Sequence, residues 1–465
     1  MSGEVVSRDP WTGAEVFRCA AADAGDAAAA VARAVAAQPG WARRPAAERG
    51  AALGAFADAV EAAAGALAEL LVREVGKRRA DADGEVTWTV DSARWYATHP
   101  PRAEEAGGAR VLRRPLGVVA AVTPWNVPLI TPAWKWLPAL MAGNAVVWKP
   151  SERATASALA AARLLHSAGV PEPVLQVLPG GPETAAALVG DDRVAGLHFT
   201  GSEAGGRALA ALAAPRLARV ALELSGLNPA VVLADADLGH AADCIVACAT
   251  ALAGQKCTAT RRVLADAAIA EELSARLAAR IGALRVGDPR APETDVGPLI
   301  APVARAAAEA ELSRAEAAGA RIVARAAAPD RPAVFAPALL RDLAPGDALR
   351  SRELFAPVVA FEAVGGPEEA WARANAGPYG LSAAVYGRDP ALLAAAADTI
   401  RSGVLAVNRR GDDVALEAPF AGRGRSGNGQ AEGGEYAYAA LTDLQAVYAG
   451  GSYPVAAASG RSSSA

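Results

Sequence analysis

From residue 115 onward, short apolar runs recur, each closed by Pro, Gly or Ser and followed by a stretch of helical pattern; residues 117–122, 145–148 and 195–199 are the clearest. Runs of that length suit buried strands better than helices, and the helix-length connections between them call for parallel pairing, because a parallel neighbour is reached only by a long crossover. The alternation therefore specifies βαβ units on a parallel sheet. A second alternation starts at Pro229 and continues to about residue 400, through a long helix near 300–319, which adds a second α/β domain. Residues 25–75 are alanine-rich helical stretches punctuated by turn signals such as Gln38-Pro39-Gly40, so the chain is expected to begin with helices. The Ala-, Gly- and Ser-rich end, 452–465, has too little apolar surface to order itself and is expected to be a frayed tail. No repeat of 20–50 residues is visible.

A chain of 465 residues exceeds one compact core, so two or three domains are expected. The formal net charge of −4 supplies no basic face, which argues against nucleic acid and for a small-molecule partner. The N-terminus lacks a basic start and an apolar stretch of signal length, and no run of about 18 uncharged apolar residues occurs, so neither export nor a membrane span is expected. Four cysteines, at 19, 244, 248 and 257, give no disulfide framework and suit a reducing, cytoplasmic compartment.

Cys257 stands among small residues with Lys256, Arg261 and Arg262 on either side, surroundings that lower a thiol pKa and favour the nucleophilic thiolate; the alternative is a buried structural cysteine. Cys244 and Cys248 lie one helical turn apart with only His240 near them, which reads as packing, and no metal site is expected. Glu223, between Leu222 and Leu224, is a carboxylate in an apolar run and so a candidate base of raised pKa, or else a solvated strand residue. Asn126, after Pro124-Trp125, offers an amide to an oxyanion or simply occupies a turn. Gly201 and Ser202 follow an apolar run and precede a helical stretch, the setting in which a helix N-terminus receives phosphate, although the spacing is not G-x-G-x-x-G. Lys149-Pro150-Ser151-Glu152 combines a cation and an acid suited to ribose hydroxyls, or is an ordinary strand-to-helix turn.

In order and wording these motifs, with Glu353-Leu354-Phe355, Asn375 to Ser382, Val407-Asn408 and Pro419-Phe420, resemble the aldehyde dehydrogenase superfamily across nearly the whole chain. The resemblance implies an α/β fold with a parallel-sheet cofactor domain (1–102 and 116–225), an α/β catalytic domain (226–425) and a small oligomerisation hairpin (103–115 with 436–450). It implies that Cys257 attacks an aldehyde carbon, that Asn126 and the Cys257 backbone N–H hold the oxyanion, and that Glu223 activates the water that hydrolyses the thioester. Lys149, Ser151 and Glu152 would hold the adenosine ribose, Gly201 and Ser202 the pyrophosphate, and Glu353 the nicotinamide ribose, with Trp125 and Phe355 lining the site of NAD, or alternatively NADP. A homodimer or homotetramer is expected. Ser225, Leu227, Glu203, Ala356 and Ala421 depart from the family's usual residues; none is a reacting residue, and Ala356, next to Phe355, bears on nicotinamide binding.

Two rival functions remain: a semialdehyde dehydrogenase that passes the acyl group to CoA, for which a water-activating Glu223 has no use, and a silent relative with a structural role. For the substrate, the resemblance places the loop after Asn408 at the mouth of the aldehyde pocket. Arg409, with Asp413 in the same loop, would anchor a carboxylate unless Asp412 and Asp413 neutralise both Arg409 and Arg410. Trp134, with Trp88 and Trp136, would instead favour an aromatic or long apolar aldehyde.

Overall fold

The computed structural model describes residues 3–449, so the expected tail at 452–465 lies outside the described residues. The chain opens with an antiparallel hairpin, β1 (Glu4–Arg8) and β2 (Glu15–Ala20), and not with a helix. Four helices follow: α1 (Ala24–Arg43), α2 (Ala46–Ala62), α3 (Ala64–Val75) and α4 (Arg79–Thr98). The turn expected at Gln38-Pro39-Gly40 is absent because α1 runs through it. Its last turn is held by tertiary contacts, since Trp41 is buried and donates from Nε1 to Leu140 O at 2.8 Å. Packing here overrides the local proline penalty. Two short strands, β3 (Glu104–Ala106) and β4 (Ala109–Pro115), then form a second hairpin.

The first βαβ series is β5 (Val118–Thr123), α5 (Ile130–Ala142), β6 (Ala145–Pro150), α6 (Thr155–Ser167), β7 (Leu175–Val177), α7 (Pro182–Gly190), β8 (Val194–Thr200), α8 (Glu203–Ala213) and β9 (Arg219–Glu223). Its five strands are all parallel, in the order β7-β6-β5-β8-β9. The chain winds outward from β5 to β7 and then returns to β8 on the other side. That reversal opens a crevice beyond the carboxyl ends of β5 and β8, where open α/β sheets bind their ligands. Every residue of β5 and β6 is buried, which is why both read as continuous apolar runs.

The second series carries β10 (Asn228–Val232), α9 (Leu238–Thr250), β11 (Thr260–Asp266), α10 (Ala270–Gly282), α11 (Pro302–Ala317), β12 (Arg321–Arg325), β13 (Ala338–Arg341), β14 (Val358–Val364), α12 (Pro367–Ala374), β15 (Tyr379–Gly380), β16 (Ser382–Tyr386), α13 (Pro390–Thr399) and β17 (Val404–Val407). Its seven-stranded sheet has the order β12-β13-β14-β11-β10-β16-β17, parallel except for β12 on one edge. Only four residues, 224–227, separate β9 in the first sheet from β10 in the second. The chain then returns past β18 (Arg423–Gly424), α14 (Tyr438–Leu441) and β19 (Thr442–Val447), and β19 pairs with β4 to complete a three-stranded antiparallel sheet. Asn144, fully buried, ties that return to the first sheet. Its amide donates to Ala139 O and Leu441 O and accepts from Gly117 N at 3.0 Å.

Candidate active site

The carboxyl ends of the first sheet and the amino ends of the second face the same space. From the first come Trp125 and Asn126 after β5, Lys149 at the end of β6, Gly201 and Ser202 after β8, and Glu223 as the last residue of β9. From the second comes Cys257, three residues before β11.

The segment before Cys257 takes an unusual path. Leu252, Ala253 and Gly254 all have positive φ (53°, 54° and 70°), and the two non-glycine residues cost about 1–2 kcal/mol each in that conformation. A Cβ on Gly254 would stand 2.4 Å from the Ala356 carbonyl carbon, so the turn has no room for another residue. Around it Gln255 accepts from Ile300 N at 2.8 Å, and Arg261 donates to Gly254 O at 2.6 Å and Ala356 O at 2.8 Å. Asn228 fixes the other side of the loop, its amide donating to Cys257 O and Ala259 O at 2.8 Å each.

Cys257 is partly accessible and lines a cavity of about 80 Å³ that it shares with Glu223, Thr200, Thr258, Lys256 and Glu432. Three buried oxygens of that lining, Thr200 Oγ1, Thr258 Oγ1 and Glu223 Oε2, have no hydrogen-bond partner among the described residues. Buried polar atoms are almost always paired, so three orphans on one cavity mark a place for a polar reactant or water. Glu223 is buried; Gly422 N donates to its Oε1 at 3.3 Å. Burial, and next the charge of Glu432, push the Glu223 carboxyl well above its usual range, against the opposing pull of Lys135. The direction is the one expected for a carboxylate among apolar neighbours.

The thiol is a correction to sequence reasoning. Burial, then the charge of Glu353, push the Cys257 thiol up to about 12, where a lowered value was expected from the adjacent cations. Those cations are engaged elsewhere. Lys256 pairs with Asp412 at 2.7 Å, Arg261 with backbone carbonyls and Glu353, and Arg262 with Arg373 O at 3.1 Å.

Asn126 is buried and gives one amide hydrogen to Gln255 O at 2.9 Å, leaving the other to donate. Trp125 meets Phe355 edge to face at 5.9 Å. Lys149 is buried without a direct ion pair among the described residues, and burial lowers its pKa, so an oxygen-bearing ligand would relieve it. Ser151 hydrogen-bonds the exposed Glu152 at 3.4 Å. Ser202 caps α8, accepting from Gly205 N, and a Cβ on Gly201 would meet the Phe199 ring at 2.6 Å. A helix N-terminus, close backbone, an unsatisfied ammonium and a buried carboxylate at Glu353 form a donor set that fits a dinucleotide.

Trp134 lies on the cavity wall with Trp88, edge to face at 5.3 Å, and Phe420 at 6.1 Å. Trp136 does not. It is fully buried on the far side, against Phe56 and Trp148. Arg409 and Asp413 are likewise absent from the cavity wall; they pair with each other at 3.1 Å and the Arg409 side chain is 71% exposed, while Asp412 is buried and takes both Arg410 and Lys256. The loop contributes Val414 instead. Sequence reasoning passed over Lys135 and Glu432, a buried ion pair next to Glu223. Lys135 was detectable as a lone cation in the apolar run of α5, whereas nothing in the sequence around Glu432 marks it.

The chain matches the model of the aldehyde dehydrogenase family over residues 2–447. It is 37% identical to N-succinylglutamate 5-semialdehyde dehydrogenase of Novosphingobium aromaticivorans, covering 91% of this chain and 92% of that one. It is 36% identical to the succinate-semialdehyde dehydrogenase [NADP(+)] of Mycobacterium leprae, covering 81% and 84%. Among solved structures it superposes on lactaldehyde dehydrogenase from Escherichia coli with a TM-score of 0.92 at 30% identity over 97% of this chain and 96% of that one. PnpE in complex with nicotinamide adenine dinucleotide gives 0.91 at 33% identity, over 96% and 94%. The chain belongs to the aldehyde dehydrogenase family.

The cofactor-free thiol is expected to alkylate slowly at neutral pH. Because the neutral thiol persists until pH approaches about 12, the rate with iodoacetamide should climb roughly tenfold per pH unit from 7 to 10. A plateau below pH 8 would show a thiolate already formed.

Proposed function

We propose that this enzyme oxidises an aldehyde to a carboxylic acid with NAD(P), through a thiohemiacetal and then a thioester on Cys257. The observation that carries the reading is the convergence of Cys257, a base of raised pKa at Glu223 and three unpartnered oxygens on one cavity. Cys257 Sγ forms a bond to the aldehyde carbon as its proton leaves to solvent. The free hydrogen of the Asn126 amide, with the Cys257 N–H, stabilises the resulting oxyanion. When bound, the nicotinamide supplies the hydride acceptor that turns the thiohemiacetal into a thioester. Glu223 then takes a proton from the water that attacks the thioester carbon, the C–S bond breaks, and a proton returns to sulfur.

Lys149, Ser151 and Glu152 would hold the adenosine ribose, Gly201 and Ser202 the pyrophosphate, and Glu353 the nicotinamide ribose, between Trp125 and Phe355. We assign residues 1–102 and 116–225 to the cofactor domain, 226–425 to the catalytic domain, and the pairing of β4 with β19 to a homo-oligomer interface. No helix among the described residues is long and apolar enough to cross a membrane, and all four cysteines are free thiols, which supports a cytoplasmic setting.

Replacing Glu223 with Gln should leave a burst of about one NADH per site followed by turnover slowed on the order of 10²–10⁴-fold, since an amide accepts no proton from water. Steady wild-type turnover in stopped-flow absorbance would assign water activation elsewhere.

The cofactor choice follows from Glu152. Its exposed carboxylate accepts from a 2′-hydroxyl and repels a 2′-phosphate. Arg153, the next residue, lines a separate cavity of about 430 Å³ with Arg8, Trp11 and Arg331. We expect kcat/KM to favour NAD over NADP by at least about tenfold, equivalent to ~1.4 kcal/mol, and Glu152→Ser to narrow the ratio. An NADP preference in the wild type contradicts the assignment.

A further inference from the structure

Taking Cys257 as the nucleophile, as proposed above, we infer that the aldehyde it receives has an uncharged, apolar body and is not an ω-carboxylated semialdehyde. The wall of the cavity beside Cys257 is made by Trp88, Trp134 and Phe420, packed edge to face, together with Ile130, Leu224 and Val414. The Trp134 indole N–H is already given to Ser92 Oγ at 3.1 Å, so that ring presents only carbon to a ligand. Such a surface rewards apolar contact with the tail of the substrate.

The charges around the cavity point the same way. Lys256 is the one cation on the described wall, and its ammonium is 2.7 Å from Asp412, a carboxylate with 2% of its side chain exposed that also takes Arg410 at 2.8 Å. The other ionisable groups on the wall besides the thiol are Glu223 and Glu432, both acidic, and the cation beside Glu432, Lys135, is buried behind it. Arg409 is outside, paired with Asp413. A substrate carboxylate entering here would lose its water and find the one cation of the described wall, Lys256, already paired. An unpaired charge in such a place is among the most costly arrangements a protein can hold. Several relatives are named for semialdehydes that carry a carboxylate, the succinate-semialdehyde enzyme of Mycobacterium leprae among them, so the chain's own cavity separates it from them.

The test uses matched pairs that differ only in the distal carboxylate: hexanal against 6-oxohexanoate, and benzaldehyde against 4-formylbenzoate, each followed as NADH formation by the full-length enzyme. The expected kcat/KM is roughly 100-fold or more higher for the uncharged member of each pair. Val414→Arg, which sets a cation on the wall from a surface loop, should shrink that ratio at least about tenfold. Thr131→Lys, on α5, makes the same change from another element if the first variant does not fold. Equal or greater efficiency on the carboxylated members overturns the inference, as does oxidation confined to small polar aldehydes such as lactaldehyde. Failure to oxidise any aldehyde, succinic semialdehyde included, removes instead the reading on which the inference rests.

Discussion

The side-chain amide of Asn228 holds together three stretches of backbone that share no strand. It donates to Cys257 O and Ala259 O at 2.8 Å and accepts from Ser382 N at 3.1 Å. Through it the start of β10, the loop before β11 and the start of β16 become one rigid corner. Gly226, two residues earlier, lies so close that a Cβ would stand 2.5 Å from Cys257 O. With the left-handed turn at 252–254 on its other side, the loop cannot relax away from the end of β9, where Glu223 sits. The strained backbone is thereby kept by hydrogen bonds around it, and the reacting groups gain the fixed geometry that catalysis needs.

Electrostatics in the cavity follow from the same burial. Glu223, Glu432 and Lys135 form a compact set with one more negative group than positive, and burial makes the odd carboxylate hard to ionise. Cys257 is held neutral by the same low-dielectric surroundings and by Glu353. The resting site is thus one in which neither the acid nor the thiol is fully charged.

Much of this was legible in the sequence. The runs at 117–122, 145–148 and 195–199 became β5, β6 and β8 because strands buried on both faces must be apolar throughout. The strand β7 escaped because three residues carry no period, and the hairpin of β1 and β2 because its alternation spans only five and six residues. Cys257, Glu223 and Asn126 were found as candidates from their neighbours. Their electrostatics were not, since the charges that decide them are distant in sequence: Asp412, which takes Lys256, lies 156 residues on. The same limit put Trp136 in the pocket. Trp134 and Trp136 are two apart in a helix and so point to different sides, one to the cavity and one to the core.

The account stands on the covalent acyl group at Cys257, and that group can be weighed. Wild-type enzyme quenched in acid during steady turnover of an aldehyde with NAD, then digested and mapped by mass spectrometry, should carry on the Cys257 peptide the mass of the aldehyde less two hydrogens. In Cys257→Ser the adduct and the turnover should both vanish while NAD still binds. Undiminished turnover in that variant, or an acyl group found only on Cys244 or another residue, would contradict the account.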